Sequence, residues 1–227
     1  MDRNKAAYKL KGLPPVYCIN LDGEPERWFY METQFKYWEI ENYTRISAYD
    51  GREDDLSDII KGKYPDNMNS GEVGCVTSHL KAMKEFLKTD EPYAFIIEDD
   101  CDFDPVKYWS FTWRDIMSKI PYDFDVFQTA IINPGALYIK IHKRFVNDFS
   151  TASYVITRHH AEKLVRLHCR DDKYKLDQGS KPRAVADDLI YNSGNTYSMP
   201  LLLYKIEMGS SIPVSYTHLT LPTKRIV

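Results

Sequence analysis

Tyr93-Ala94-Phe95-Ile96-Ile97 runs straight into Glu98-Asp99-Asp100, with Asp102 two residues further on. Five apolar residues without a polar break predict a compact buried strand. In open α/β sheets ligands sit beyond the carboxyl ends of strands, which is where these acids fall. Crowded carboxylates repel one another, and a cation relieves that repulsion. Hard oxygen ligands suit Mn²⁺ or Mg²⁺. A solvated acidic turn is the other reading of the same residues.

Outward from this stretch, strands and helices alternate. Val16 to Leu21 follows Pro14-Pro15 and ends at Asp22-Gly23, the pattern of a buried strand closed by a turn. Trp28, Met31, Phe35 and Trp38 are spaced by threes and fours and predict an amphipathic helix over 26–39. A short strand over 43–48 precedes a polar loop, 52–70. Val73, Val76, Leu80, Met83 and Leu87 place a helix over 71–88. Later segments predict strands over 124–131, 137–141 and 152–156, a helix over 158–168 with His159 and His160 on its surface, and a short helix over 184–191. The sum is one α/β domain with a mainly parallel central sheet flanked by helices.

Composition narrows the function classes. With 43% hydrophobic and 28% charged residues among 227, the chain is that of a soluble globular domain. A formal charge of -3 supplies no global basic field, so nucleic acid is not an expected partner. Cys18, Cys75, Cys101 and Cys169 form no CxxC pair and suggest neither a zinc site nor a disulfide framework; a reducing, cytoplasmic setting is expected. Neither a signal-peptide core nor an apolar run of 18 residues is present, so no transmembrane segment is expected, while peripheral membrane contact stays open. The 17 tyrosines fit either a carbohydrate groove or a tyrosine-rich core.

Several segments fall into one family pattern. Asn20-Leu21-Asp22 with Glu26-Arg27, then Arg45-Ile46-Ser47-Ala48-Tyr49-Asp50-Gly51, Gly71-Glu72-Val73-Gly74-Cys75-Val76-Thr77-Ser78-His79 and Ile96 to Asp100 resemble glycosyltransferase family 25. Thr151 to Ile156, Asp187-Asp188-Leu189, Pro200 and Ser210-Ser211-Ile212 continue the match in order. The most specific part is the Gly-rich helix start ending in Ser78-His79, joined to the acidic strand end. This family includes lipooligosaccharide and procollagen galactosyltransferases. The resemblance implies a GT-A-like Rossmann-type fold and a UDP-sugar donor carrying galactose or glucose. It further implies a hydroxyl acceptor on a glycan or protein, commonly Mn²⁺, and inversion at the anomeric carbon.

By position, the resemblance implies that Asp100 with Glu98 and Asp99 forms the metal and diphosphate site. Asn20, Arg27, Asp50, Gly51, Ser78, His79, Glu98 and Asp99 come out donor-proximal. His79 also reads as a core histidine, since it shares a helix stripe with Cys75. Inverting transfer needs a base; Asp188 is the first choice and Asp187 the second, although both also suit a helix N-terminus as dipole-complementing charges. Lys205 stands where relatives often carry Gln, and Ala184-Val185-Ala186 replaces the more usual Pro-Val. A catalytically inactive nucleotide-sugar or glycan-binding module and a metal-dependent phosphohydrolase are the competing classes. Residues 214–227, with Ser215 to Arg225, look like a translated vector or adaptor tail, which leaves 1–213 as the domain.

Overall fold

The computed structural model describes residues 4–52, 54–133, 135, 137–176 and 184–205. In chain order its strands and helices are β1 (Val16–Asn20), α1 (Pro25–Tyr37), β2 (Tyr43–Ser47), α2 (Ser70–Phe86), β3 (Tyr93–Glu98), β4 (Cys101–Asp102), α3 (Trp113–Met117), β5 (Val126–Gln128), β6 (His142–Lys143), β7 (Ser153–Thr157), α4 (Arg158–His168), β8 (Cys169–Arg170), β9 (Lys173–Tyr174), α5 (Ala186–Tyr191), β10 (Thr196–Ser198) and β11 (Leu203–Tyr204).

Seven strands form one sheet, ordered β2-β1-β3-β7-β5-β10-β6. β1 pairs in parallel with β2 and β3, and β5 with β10. β7 runs against both β3 and β5, and β6 runs against β10. Five strands therefore share one direction, and the expected α/β domain with a mainly parallel sheet and flanking helices is the observed one.

Successive side chains of a strand point to opposite faces, and the two cores divide accordingly. Ala94 and Ile96 of β3 join Val73, Leu80 and Met83 of α2 and Leu164 of α4. Phe95 and Ile97 join Met31 and Phe35 of α1 and Trp113 of α3 on the other face. That is why the run 93–97 carries no alternation: helices cover both sides, and Ala94 to Ile97 are completely buried. The α2 start is fixed by a capping box, Asn69 Oδ1 accepting from the Glu72 N–H while the Glu72 carboxylate accepts from the Asn69 N–H.

Differences from the sequence reading concentrate in the second half. No strand forms over 137–141; the strand there is the two-residue β6, and Leu137, Tyr138 and Ile139 are exposed. The expected strand over 124–131 shortens to β5. His160 is fully buried rather than on the surface, its Nε2 3.0 Å from the Ile190 carbonyl, and burial pushes its pKa down. Its neighbour His159 is exposed. β11 pairs with β4, a contact between segments about a hundred residues apart, and the Lys205 N–H donates to the Asp100 carbonyl at 2.8 Å. The tail over 214–227 and Ser210-Ser211-Ile212 lie outside the described residues.

Candidate functional site

β1, β2 and β3 end level with one another: Asn20 lies opposite Ser47, and Ile19 opposite both Ile46 and Glu98. Loop 48–52 leaves this edge and meets the first turns of α2. Two glycines make the meeting possible. A Cβ on Gly51 would fall 1.9 Å from the Ser70 carbonyl oxygen, and one on Gly74 would fall 2.6 Å from that of Tyr49. Ser78 Oγ then accepts from the Tyr49 N–H at 2.9 Å and donates to the Gly74 carbonyl at 2.6 Å. The outcome is a cleft lined by Asn20, Asp50, Gly51, Ser78, His79, Glu98 and Asp99, with Tyr49, Arg52, Gly71 and Cys75 beside them. A larger hollow of about 730 Å³ opens at the amino-terminal end of β1, around Leu10, Pro14, Trp38 and Asn42, and holds none of the sequence-derived site residues.

The three acids at the β3 terminus have different surroundings. Asp99 has both oxygens engaged: Asn20 Nδ2 donates to Oδ2 at 2.6 Å and the buried Arg27 guanidinium pairs with Oδ1 at 2.5 Å. Arg45 of β2 in turn donates to Asn20 Oδ1 through Nε and Nη2, at 2.8 and 2.6 Å. Burial still holds the Asp99 carboxyl above its ordinary range, against the pull of Arg27 and Asn20.

Glu98 Oε1 accepts from Thr151 Oγ1 at 2.7 Å and from His79 Nε2 at 3.2 Å, while His79 Nδ1 lies 2.9 Å from the Tyr154 hydroxyl. A carboxylate can only accept, so His79 Nε2 carries a proton. Burial would push the Glu98 pKa up, but hydrogen bonding and electrostatic attraction from His79, with Thr151, bring it below the usual range.

Asp100 is the exception. Its Oδ1 is buried without a hydrogen-bond partner, and the Arg27 guanidinium stands 3.4 Å from Oδ2. Burial, then the negative charge of Glu98, raise its pKa to about 7. An orphaned buried carboxylate oxygen among like charges is costly, and a hard cation satisfies it. Asp100 Oδ1 is thus an open position that a hard cation would satisfy, while the ligand atoms that converge among the described residues are those of Cys75, His79 and Glu98. Asp102 is not part of this group in the same way: its Oδ1 accepts from the Asp104 N–H at 2.8 Å and closes a turn.

The two acids of α5 also part ways. Asp187 Oδ1 accepts from the Ser150 N–H at 2.8 Å; burial is the main cause raising its pKa to about 6, opposed by Arg144 and helped by Glu98. Asp188 Oδ1 accepts from Asn192 Nδ2 one turn along the same helix, at 2.9 Å. The negative charge of Glu98 is thus felt at Asp187.

Asp50 is held by Arg52, whose Nε and Nη2 meet its two oxygens at 2.9 and 2.6 Å, and its pKa is lowered by that pairing. The sequence reading assigned no role to Arg45, Arg52, Thr151 or Tyr154, although Arg45, Thr151 and Tyr154 lie within the family-like segments. It also gave no sign that Cys75, His79 and Glu98 would bring ligand atoms within 4.8 Å of one another. Cys75 and His79 do so because they lie one turn apart on α2.

The family model described as Glycosyltransferase family 25 (LPS biosynthesis protein) matches residues 13–178. Among solved structures, a nucleoside-diphosphate-sugar pyrophosphorylase from Vibrio cholerae RC9 is similar at 11% identity with a TM-score of 0.39, over 92% of this chain and 80% of that one. No curated protein matches the sequence.

Proposed function

Because the chain belongs to glycosyltransferase family 25, we propose that it transfers a hexose, galactose or glucose, from a UDP-sugar to a hydroxyl of a glycan or protein acceptor, with inversion. The observation that carries this reading is the cleft at the carboxyl ends of β1 and β3. Seven residues assigned to the donor by family position line it together, next to a carboxylate whose Oδ1 has no partner.

The roles divide by surroundings. Asp100 would hold Mn²⁺ or Mg²⁺, with Glu98 as a neighbouring ligand and Asp99 fixed by Asn20 and Arg27 as the strut that sets the turn. Such an ion, when bound, neutralises the diphosphate and stabilises it as a leaving group. His79 and Thr151 keep Glu98 ionised and aimed. Gly51 and Ser78 keep loop 48–52 against α2, so that backbone groups line the donor side.

Asp187 takes the acceptor proton in this scheme. Its pKa near 6 makes it mostly ionised at neutral pH yet still basic enough to abstract a proton in the transition state. Asp188, first choice on sequence, is tied to Asn192 and becomes the alternative.

Thermal shift with UDP, with and without Mn²⁺, followed by slow hydrolysis of individual UDP-sugars, tests the proposal without an acceptor. UDP binding that needs the ion and hydrolysis of one UDP-hexose are the expected results. Binding with no turnover of any UDP-sugar would make the chain a binding module, and absence of UDP binding would remove the donor assignment.

A further inference from the structure

Between Ile132 and Phe149 the chain makes an excursion that carries the edge strand β6, its base closed by paired backbone hydrogen bonds of 3.0 Å in each direction. The excursion is built on a buried acid. Asp148 accepts from Asn133 Nδ2 at 2.7 Å, from the Phe145 N–H at 2.9 Å and from His142 Nε2 at 3.1 Å. The rings of Tyr138, His142 and Phe145 cluster together, with centroids 4.9 to 5.8 Å apart and His142 stacked on Phe145.

This well-anchored loop holds apolar side chains out in solvent. Ile139 is 81% exposed, Val146 77%, and Leu137 and Phe145 about half. Exposed apolar side chains recurring along one anchored loop point to an interaction surface. Residues 137–146 also include Lys140, Lys143 and Arg144 and no Asp or Glu. Arg144 is turned inward onto the Asp148 carbonyl and Asn192, Lys143 stays exposed while donating to Asn195 Oδ1 at 2.8 Å, and Lys140 is exposed as well. Aliphatic side chains beside lysines, with no acid among them, match a bilayer interface, which offers hydrocarbon just beneath negative headgroups.

The loop also has a place relative to the chemistry. Gln128 Nε2 binds the carbonyls of Asp148, Phe149 and Ser150, and the Ser150 N–H is the donor to Asp187. We infer that residues 137–146 dock the protein on an anionic membrane surface and so bring the neighbouring Ser150–Asp187 contact toward an acceptor carried on lipid. This rests on the transferase reading and on the family's description as an LPS biosynthesis protein, since that glycan is lipid-linked.

The test is co-sedimentation of the full chain with phosphatidylglycerol/phosphatidylethanolamine vesicles and with phosphatidylcholine vesicles. Wild type should pellet with the anionic vesicles, and binding should fall several-fold in about 0.5 M salt. The double variant Ile139→Asp with Val146→Asp should lose roughly tenfold in binding, because both apolar contacts and charge complementarity are removed. Its UDP-dependent thermal shift should match wild type, which shows that the fold and donor cleft are intact. Equal pelleting of wild type and variant, or no pelleting of wild type, overturns the inference even if UDP binding holds. So does a concentration-dependent dimer in light scattering that the variant abolishes, since the surface would then face a second copy.

Discussion

Replacing Asp100 with asparagine keeps the side chain's shape and removes the charge that its surroundings disfavour. The Asp100 pKa of about 7, against an ordinary 3.8, corresponds to a penalty on the ionised form of roughly 4 kcal/mol. The carboxylate is 16% exposed and Arg27 stands beside it, so water and relaxation recover part of this. About 1–2 kcal/mol remains as the expected gain in metal-free stability at pH 8, or a rise of roughly 2–8 °C in melting temperature for a chain of this size. The sign follows from proton linkage. Between about pH 4 and 7 the folded state binds the extra proton, so wild-type stability declines as pH rises through that window and is level above it. The variant should show a shallower decline, since Asp99 and Asp187, whose carboxyls are also raised, remain. Differential scanning fluorimetry in chelator from pH 5 to 8, on both proteins, gives the two profiles. Parallel profiles would refute the assignment of strain to Asp100. In a companion titration, Mn²⁺ should tighten UDP binding in wild type and have little effect in the variant, and the coupling should be reciprocal.

Asp187→Asn should lower turnover roughly 10²-fold with UDP affinity nearly unchanged, whereas Asp188→Asn should have the smaller effect; the reverse order in steady-state kinetics would return the base to Asp188. Because Asp187 must be ionised to act, kcat/KM should climb as pH rises through about 6 and then level off, and a profile flat from pH 5 to 8 counts against it. His79→Gln removes the ring that holds Glu98 through Nε2, so metal-dependent UDP affinity should weaken while the circular dichroism spectrum stays the same. Gly74→Ala forces a methyl group into the Tyr49 carbonyl oxygen and should cost about 1–3 kcal/mol in chemical denaturation. A neutral result there would mean that loop 48–52 moves aside easily.

What the sequence made legible follows from how local each signal is. β1, α1, α2 and β3 were visible because an apolar run or a helical stripe reports burial directly, whatever the partner. β6 was not, since a two-residue strand exists only through its pairing with Tyr197 and Ser198, and the apolar run before it suggested a strand where the chain instead exposes those residues. His160 was misplaced because its burial is set by α5, whose Ile190 carbonyl is 30 positions on. In the site, family position brought Asn20, Ser78, His79, Glu98 and Asp99 into one cleft but could not divide their work. Asp99 and Asp100 are adjacent and chemically alike; only the reach of Asn20 and Arg27 makes one a strut and leaves the other with an unpartnered oxygen. Thr151 is an ordinary strand-edge residue until β7 is seen to run beside β3, which puts its hydroxyl on Glu98.

The pairing of β11 with β4 also sets a timetable for the protein's birth. Glu98, Asp99 and Asp100 leave the ribosome roughly a hundred residues before Leu203 and Tyr204, which lie alongside the acidic turn and supply the Lys205 N–H to the Asp100 carbonyl. At about 5–20 residues per second, that separation is a lag of roughly 5–20 s. Throughout it the nascent chain carries its acids without the strand that pairs beside them, and for most of it without Asp187 as well. The turn that carries the acids is therefore completed only after every strand of the seven-stranded sheet has been made.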